Sequence, residues 1–230
     1  MNSSDEPQAG RTYRQLRFRP PPGTAELLLI RHGESERARP DQPFPLVEGR
    51  GDPALAPEGA VQAERVADRL AAGPPVDAIY VTSLRRTAET AAPLARRTGL
   101  TPAVEPGLSE VALGEWEGGR YRAMVAENHP LVQRLLAEER WDVIPGAEPA
   151  AEYTARVRAA LDRIAAAHPG QRVAVFTHGG VIGEALAQAT GSRPFAFAGA
   201  DNGSISVLVG SPGRWALRGF NDTAHLDSQP

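Results

Sequence analysis

Two segments of the chain end an apolar run on a histidine that is followed by a glycine. LLLI leads into Arg31-His32-Gly33, and VAVFT leads into His178-Gly179. Short apolar runs of this kind indicate buried strands, and ligands of open α/β sheets bind beyond the carboxyl ends of such strands. If the two strands are parallel neighbours, both imidazoles lie at one sheet edge. An arginine beside a histidine at that edge indicates an anion site that contains a nucleophile or an acid–base group.

Two further segments carry charged side chains next to predicted strand ends. TSLRRTAET at 82–90 follows a short apolar run and opens a helix. A cation in the first turn of a helix meets the positive end of its dipole, so an arginine there makes more sense if it faces a bound anion. LSEVALGEWEG at 108–118 places several carboxylates in a loop bounded by glycine.

The elements that must position these groups alternate between strands and helices from Glu26 onward. Strands are predicted at 26–30, 78–81, 101–105, 172–177, 204–209 and 214–220. Helices are predicted at 58–72, 84–98, 119–140 with a break near Pro130, 148–168, and after Gly180 to about Thr190. Strands separated by helices predict an α/β fold of three layers, α/β/α, with a mostly parallel central sheet. The last two strands, joined by a short turn, predict an antiparallel edge.

The length of 230 residues and the absence of an internal repeat predict one domain. We assign residues 1–24 to a flexible N-terminal arm, residues 25–221 to the domain and residues 222–230 to a C-terminal tail. The basic and aromatic residues of the arm leave open whether it is solvated or packs on the domain or a second subunit.

Composition excludes several classes of function. The net charge of −3 gives no basic field for nucleic acid or acidic membranes. The chain has no cysteine, so disulfides, zinc–thiolate sites and cysteine nucleophiles are excluded. No apolar run approaches the roughly 20 residues of a membrane span, and the first residues lack the apolar core of a secretory signal. A cytoplasmic location is therefore expected, with no nucleic-acid or membrane partner.

Four motifs in order, RHGES, TSLRRTAETA, LSEVALGEWEG and THGG, resemble those of the histidine phosphatase superfamily, also called the phosphoglycerate-mutase-like family. The resemblance covers roughly residues 26–220. It implies a central mixed sheet flanked by helices, a phosphohistidine intermediate, and no metal or cofactor.

The resemblance assigns roles to five residues. His32 matches the nucleophile, Arg31 and Arg86 match the two arginines that bind the phosphoryl group, Glu110 matches the acid and His178 the second histidine. A phosphoryl group in transfer spreads its charge over three oxygens, so catalysis depends mostly on positioning and positive charge. The same cations are expected to lower the pKa of His32 and to keep its imidazole neutral and nucleophilic.

Glu110 would protonate the leaving oxygen and then take a proton from the water that hydrolyses phosphohistidine. It must therefore begin the cycle protonated, which predicts a pH optimum on the acidic side.

Further contacts to the phosphoryl group are predicted from Gly33, Ser35 and Gly179. The family often has an asparagine shortly after the RHG segment, and Arg37 is the candidate that could replace it here. Asn202, before the strand at 204–209, is a candidate for buttressing the pocket.

The irregular segments 37–57 and 119–147 are the expected specificity elements. A second anionic group of the substrate could bind to arginines in them. These are Arg37, Arg39, Arg50, Arg120 and Arg122.

Only about 23 residues separate Arg86 from Glu110, a compact arrangement that favours a phosphatase over a mutase. The expected partners are a small phosphorylated metabolite and phosphate, and the resemblance leaves a homodimer open. The alternatives are a cofactor-dependent phosphoglycerate mutase and a non-catalytic phospholigand-binding protein. The second is disfavoured because all the expected catalytic residue types are present.

Overall fold

The computed structural model describes residues 12–227. The strands are β1 Ala25–Arg31, β2 Leu46–Val47, β3 Arg50–Gly51, β4 Ala78–Val81, β5 Ala103–Val104, β6 Arg172–Thr177, β7 Ile205–Ser211 and β8 Arg214–Asp222. The helices are α1 Pro57–Ala71, α2 Arg85–Thr98, α3 Arg120–Ala126, α4 Pro130–Glu138, α5 Ala150–Ala167 and α6 Gly179–Thr190. Short 3-10 turns lie at Pro106–Leu108, Gly114–Trp116 and Trp141–Val143.

Six of the strands form one sheet in the order β5-β4-β6-β1-β7-β8, and β2 and β3 form a separate hairpin. Strands β5, β4, β6 and β1 run parallel, whereas β7 is antiparallel to both β1 and β8. The prediction of a mostly parallel sheet with antiparallel pairing at one edge is therefore confirmed.

Strand β1 shows how the three layers are held together. Its side chains alternate between the two faces of the sheet, as the period of a strand requires. Leu27 and Leu29 pack in one core with residues of α5 and α6, and Leu28 and Ile30 pack in a second core with residues of α1 and α2. All four are at most 1% exposed, which explains why this strand is apolar throughout.

A third, smaller core supports the segment between the sheet strands β5 and β6. Trp116, Val132, Leu135 and Ile144 pack together there. The predicted helix over 119–140 is present as α3 and α4, and the predicted break lies before Pro130, which begins α4. Within residues 12–227, no helix combines the length and apolar character needed to cross a bilayer.

The structure differs from the predicted elements in three places. Strand β5 is only two residues long and exposed, since Pro102 and Pro106 flank it and lack the N–H that a ladder needs. The predicted loop over 37–57 contains the β2–β3 hairpin. Strand β8 extends to Asp222, past the predicted domain end at 221.

Both predicted termini are described in part. Residues 12–22 are exposed and form neither helix nor strand, and the ring of Phe18 lies 3.8 Å from the guanidinium carbon of Arg218. At the other end, the guanidinium of Arg65 donates to the carbonyl of Leu226, which joins that part of the predicted tail to the domain. Residues 1–11 and 228–230 lie outside the described residues.

Helix α1 contacts the loop that follows β1 at a pair of glycines. A Cβ on Gly59 would lie 2.0 Å from the carbonyl oxygen of Glu34, and a Cβ on Gly33 would lie 2.4 Å from the carbonyl oxygen of Gly59. Backbone meets backbone here, so neither side can move aside cheaply. This contact fixes the loop that carries His32.

The substitution Gly59→Ala tests this contact, because helix propensity and the clash predict opposite changes in the free energy of unfolding. Helix propensity alone predicts that alanine stabilises this position by up to about 1 kcal/mol. The clash instead predicts a loss of about 1–3 kcal/mol in the free energy of unfolding, measured by urea denaturation. Ala60→Gly, at the exposed neighbouring position, measures the local propensity alone, and a stabilised Gly59→Ala would contradict the close contact.

Candidate active site

The two histidines predicted to meet at one sheet edge do so. Strands β1 and β6 are adjacent and parallel, with Arg31 opposite Thr177, so the residues that follow lie at the same level. The ring centroids of His32 and His178 are 5.3 Å apart. Both side chains are buried, with 6% and 0% of their surface exposed.

The ring of His32 is held with one nitrogen available for reaction. Its Nδ1 lies 2.7 Å from the carbonyl oxygen of Gly33. A carbonyl can only accept a hydrogen bond, so Nδ1 carries the proton and the lone pair is on Nε2. Burial, with Arg86 and Arg31 close by, lowers the pKa of His32 well below its usual value. The expected neutral imidazole is therefore supported by burial first and by the arginine charges second.

Two arginines provide positive charge around this ring. Arg31 ends β1, and one of its terminal nitrogens donates to the carbonyl of Ala200. Arg86 lies in the first turn of α2, is 7% exposed, and donates to the carbonyl of Gly51 at 2.9 Å. Neither guanidinium forms an ion pair with a carboxylate of residues 12–227. Since an unpaired buried charge is costly, these cations call for an anionic ligand.

Two buried nitrogen atoms at the site also lack a hydrogen-bond partner among the described residues. Within the described residues, Nε of Arg31 and Nδ1 of His178 have no hydrogen-bond partner. The other ring nitrogen of His178, Nε2, lies 3.1 Å from Oγ1 of Thr82. Buried polar groups are nearly always satisfied in native proteins, so an anion bound between these groups would complete the site.

Helix α2 begins in a way that allows an arginine in its first turn. The backbone N–H of Arg85 donates to Oδ1 of Asp52 at 2.8 Å, and the carboxylate offsets the positive end of the helix. The side chain of Arg85 forms an exposed ion pair with Glu89. Arg85 therefore points away from the site, whereas Arg86 lines it.

Glu110 faces the same space from the loop after β5. Its carboxylate accepts from the N–H of Val111 at 3.1 Å and from the N–H of Gly180, in the first turn of α6, at 3.3 Å. A Cβ on Gly180 would lie 2.5 Å from Oε1 of Glu110. Only glycine at 180 leaves room for the carboxylate in this position.

A partly buried ion pair anchors the backbone of that loop. Arg156 of α5 donates to both carboxylate oxygens of Glu148, at 2.5 and 2.8 Å. It also donates to the carbonyls of Gly107, Ser109 and Glu110. Charge-assisted bonds of this kind restrict position strongly, so Arg156 sets where Glu110 stands.

The other predicted contacts are placed differently. The N–H of Gly33 donates to Oγ1 of Thr90 at 3.0 Å, so it is engaged by the protein and not free for a ligand. Ser35 is buried and accepts from Arg122. Gly179 lies against the guanidinium of Arg31, where a Cβ would be 3.3 Å from Nε.

Arg37 does not take the place of the asparagine. It is exposed and lines outer surface grooves that do not include His32. Arg122, at the start of α3, lines the cavity instead. It donates to the carbonyl of Glu36 and to Oγ of Ser35, each at 2.7 Å, and its charge also lowers the pKa of His32.

Asn202 supports the site from behind. Its side-chain N–H donates to the carbonyl of His32 at 2.8 Å, which is the buttressing contact that the sequence left as a candidate.

The side chains described above open into a cavity of about 260 Å³. Arg31, His32, Arg86 and Glu110 line its inner part. The outer wall combines aromatic and basic side chains, which are Phe44, Trp116, Tyr121, Trp141, Arg50 and Arg122.

Arg50 and Glu117 hold two loops of this wall. Arg50 donates to the carbonyl of Glu110 and lies 3.5 Å from the carboxylate of Glu148. Glu117 accepts from the N–H of Gly51 and from the N–H of Leu113, each at 2.7 Å. The hairpin β2–β3 is thereby tied to the loop that carries Glu110.

Comparison with known proteins identifies the family. The sequence matches the histidine phosphatase superfamily (branch 1) over residues 27–223, and the chain belongs to that superfamily. It is 32% identical over 209 residues to phosphoglycerate mutase-like protein 4 of Arabidopsis thaliana, covering 88% of this chain and 87% of that protein. It is 30% identical to the metal-independent phosphoserine phosphatase of the same plant, covering 88% of this chain and 84% of that protein.

A solved structure with a bound anion is also similar. The mycobacterial glucosyl-3-phosphoglycerate phosphatase in complex with inorganic phosphate superimposes with a TM-score of 0.69 at 27% identity. The match covers 87% of this chain and 98% of that one. That relative therefore binds phosphate on the same fold.

The two buried histidines predict how stability depends on pH. Burial, with Arg86 nearby, lowers the pKa of His178 as well as that of His32. As the pH falls below about 6.5, the usual value for an unfolded histidine, the unfolded chain takes up protons at both positions and the native chain does not. The free energy of unfolding must therefore fall, by roughly 1 kcal/mol per histidine at about pH 5.5.

Urea denaturation at several pH values measures this slope. Between neutral and mildly acidic pH, His32→Gln should lose less unfolding free energy than the wild type does. The variant that also carries His178→Gln should lose still less. Identical slopes in all three proteins would contradict the lowered pKa values.

Proposed function

We propose that this chain is a phosphatase that hydrolyses phosphomonoesters of small metabolites through a phosphohistidine on His32. The observation that carries the proposal is the pair of arginines, Arg31 and Arg86, which have no carboxylate partner within residues 12–227 and flank a neutral imidazole. A dianionic phosphoryl group supplies the missing charge, and planar guanidinium groups match its oxygens. The named activities of the relatives, on phosphoserine and glucosyl-3-phosphoglycerate, support a phosphomonoester as substrate.

In the first half-reaction Nε2 of His32 attacks phosphorus, and the bond from phosphorus to the ester oxygen breaks. Glu110 gives its proton to the leaving oxygen, so the alcohol departs neutral. The imidazole becomes cationic as it gains the phosphoryl group, and the hydrogen bond from Nδ1 to the Gly33 carbonyl stabilises that charge. Arg31, Arg86 and His178 hold the three phosphoryl oxygens during transfer.

In the second half-reaction a water molecule attacks phosphorus from the side that the alcohol has left. Glu110, now a carboxylate, takes the proton from this water as the N–P bond breaks. Phosphate departs and the neutral ring of His32 returns. The charge that transfer requires comes from Arg31 and Arg86, so no step calls for a metal ion.

Phosphate release from a panel of phosphomonoesters, at acidic and neutral pH with EDTA present, tests the proposal. We expect release by the wild type and none by His32→Ala. His168→Ala is the matched control, because that histidine bonds to Tyr80 and Gln171 away from the site. Transfer of phosphate between glycerates without release would indicate a mutase, and binding of phosphate without turnover would indicate a binding protein.

Glu110→Gln separates the two roles of the carboxyl group. Glutamine keeps the size and an acceptor for the N–H of Gly180 but cannot transfer a proton. With an alkyl phosphate, whose leaving group needs protonation, kcat should fall by about 100- to 10,000-fold. With 4-nitrophenyl phosphate the first step should persist and the second should stall, so a burst of nitrophenol and a protein mass raised by one phosphoryl group are expected. Wild-type rates in this variant would remove Glu110 from the mechanism.

A further inference from the structure

A second chamber of about 250 Å³ opens from the far side of Glu110. It shares Arg31, Glu110, Tyr121 and Trp141 with the cavity described above. The two spaces therefore adjoin at Glu110, the carboxyl group that would protonate a leaving oxygen.

The walls of this chamber are mostly apolar. Apolar side chains come from α4 and from the segment after α6, and they are Leu135, Leu136, Pro194, Phe195 and Ala198. Trp141 lies between the two spaces, with its ring 5.9 Å from that of Tyr121 and 5.2 Å from that of Phe195.

The first turns of α6 form the floor. Gly179, Gly180 and Gly183 line the chamber without side chains, and a Cβ on Gly183 would lie 3.1 Å from the carbonyl of Phe197. An ion pair between Arg193 and Glu139 joins the segment after α6 to the end of α4. The chamber is thus built from elements tied to one another.

Charge distinguishes the chamber from the outer part of the first cavity. Among the described residues, Arg31 is the only cation that lines it, and Glu184 adds a carboxylate to its wall. The first cavity carries Arg50, Arg86 and Arg122 in addition to Arg31. A second anionic group on a ligand would be repelled from the chamber and attracted to the first cavity.

We propose that the chamber binds the alcohol part of the substrate and that this part is uncharged and carries an apolar group, an alkyl or aryl chain. The inference rests on the proposed function, since Glu110 must touch the leaving oxygen and the rest of the alcohol then extends from that point. The size is sufficient, because apolar cavities of about 150 Å³ already bind benzene.

Two esters with the same kind of leaving oxygen test the proposal. Propyl phosphate and 3-phenylpropyl phosphate are both esters of primary alcohols, and only the second reaches into the chamber. We expect the wild type to favour the phenyl ester in kcat/KM by about 10-fold or more, the scale of discrimination that small apolar pockets achieve.

Ala198→Phe fills the chamber from an exposed position outside the reacting groups. It should bring the ratio of kcat/KM between the two esters close to one. Ala196→Phe, also exposed and in the same segment, is the matched control and should keep the wild-type ratio. A wild-type ratio near one, or a ratio unchanged in Ala198→Phe, overturns the proposal, as does a preference for 3-carboxypropyl phosphate over the phenyl ester.

A binding measurement shows whether this inference or the proposed function has failed. Calorimetry with propylphosphonate and 3-phenylpropylphosphonate needs no turnover. If no ester is hydrolysed but the phenyl compound binds about 10-fold more tightly and loses that advantage in Ala198→Phe, the chamber is a ligand subsite and the phosphatase proposal fails. Equal affinities for the two phosphonates overturn the subsite whatever the enzyme hydrolyses.

Discussion

Two largely buried guanidinium groups, those of Arg31 and Arg86, have no carboxylate partner within residues 12–227, and the rest of this site depends on them. Removing a charge from water costs several kcal/mol unless the protein compensates it. Within residues 12–227, Arg31 and Arg86 donate to carbonyl acceptors, Ala200 and Gly51, and neither forms an ion pair with a carboxylate. A bound anion can therefore interact with both cations. The free-energy cost of burying them is offset by apolar packing in the two large cores on either side of the sheet.

The same positive charge determines the state of the histidines. A protonated imidazole beside two arginines and inside the protein is strongly disfavoured, so His32 and His178 are both held neutral. The carbonyl of Gly33 then decides which nitrogen of His32 carries the proton. Burial and charge thus set the protonation state of His32, and one backbone hydrogen bond sets its tautomer. Because the acceptor of that bond is the carbonyl of Gly33, the loop after β1 must hold its position. The close contact between Gly33 and Gly59 provides this rigidity.

The inner part of this site could be predicted because it depends on strand topology. An apolar run followed by a polar residue fixes where a strand ends, and parallel neighbours bring such ends together. His32, His178 and Arg31 follow from that rule. Arg86 could be chosen over Arg85 only through the resemblance to a family.

The outer part could not be predicted because it depends on how irregular segments fold over the sheet. Arg37 and Arg122 are both arginines in segments without a regular period, and nothing local indicates that α3 would bring Arg122 over the cavity while Arg37 stays outside. The engagement of the Gly33 N–H by Thr90 is likewise a contact between distant segments. The second chamber joins α4, α6 and the segment after α6, and its apolar residues look like ordinary core or surface positions in the sequence.

The position of Glu110 explains why one scaffold can serve many substrates. Arg156 of α5, which pairs with Glu148, donates to the backbone carbonyl of Glu110, and the N–H of Gly180 in α6 donates to its carboxylate, so Glu110 is fixed by two long helices. The surfaces on either side of it come from the 37–57 loop, from α3 and α4, and from the segment after α6. A change in those segments would alter which ligand group fits beside Glu110 without moving the carboxyl group, the imidazole or the two arginines. On the proposed function, selectivity for the leaving group would therefore be structurally separable from phosphoryl transfer.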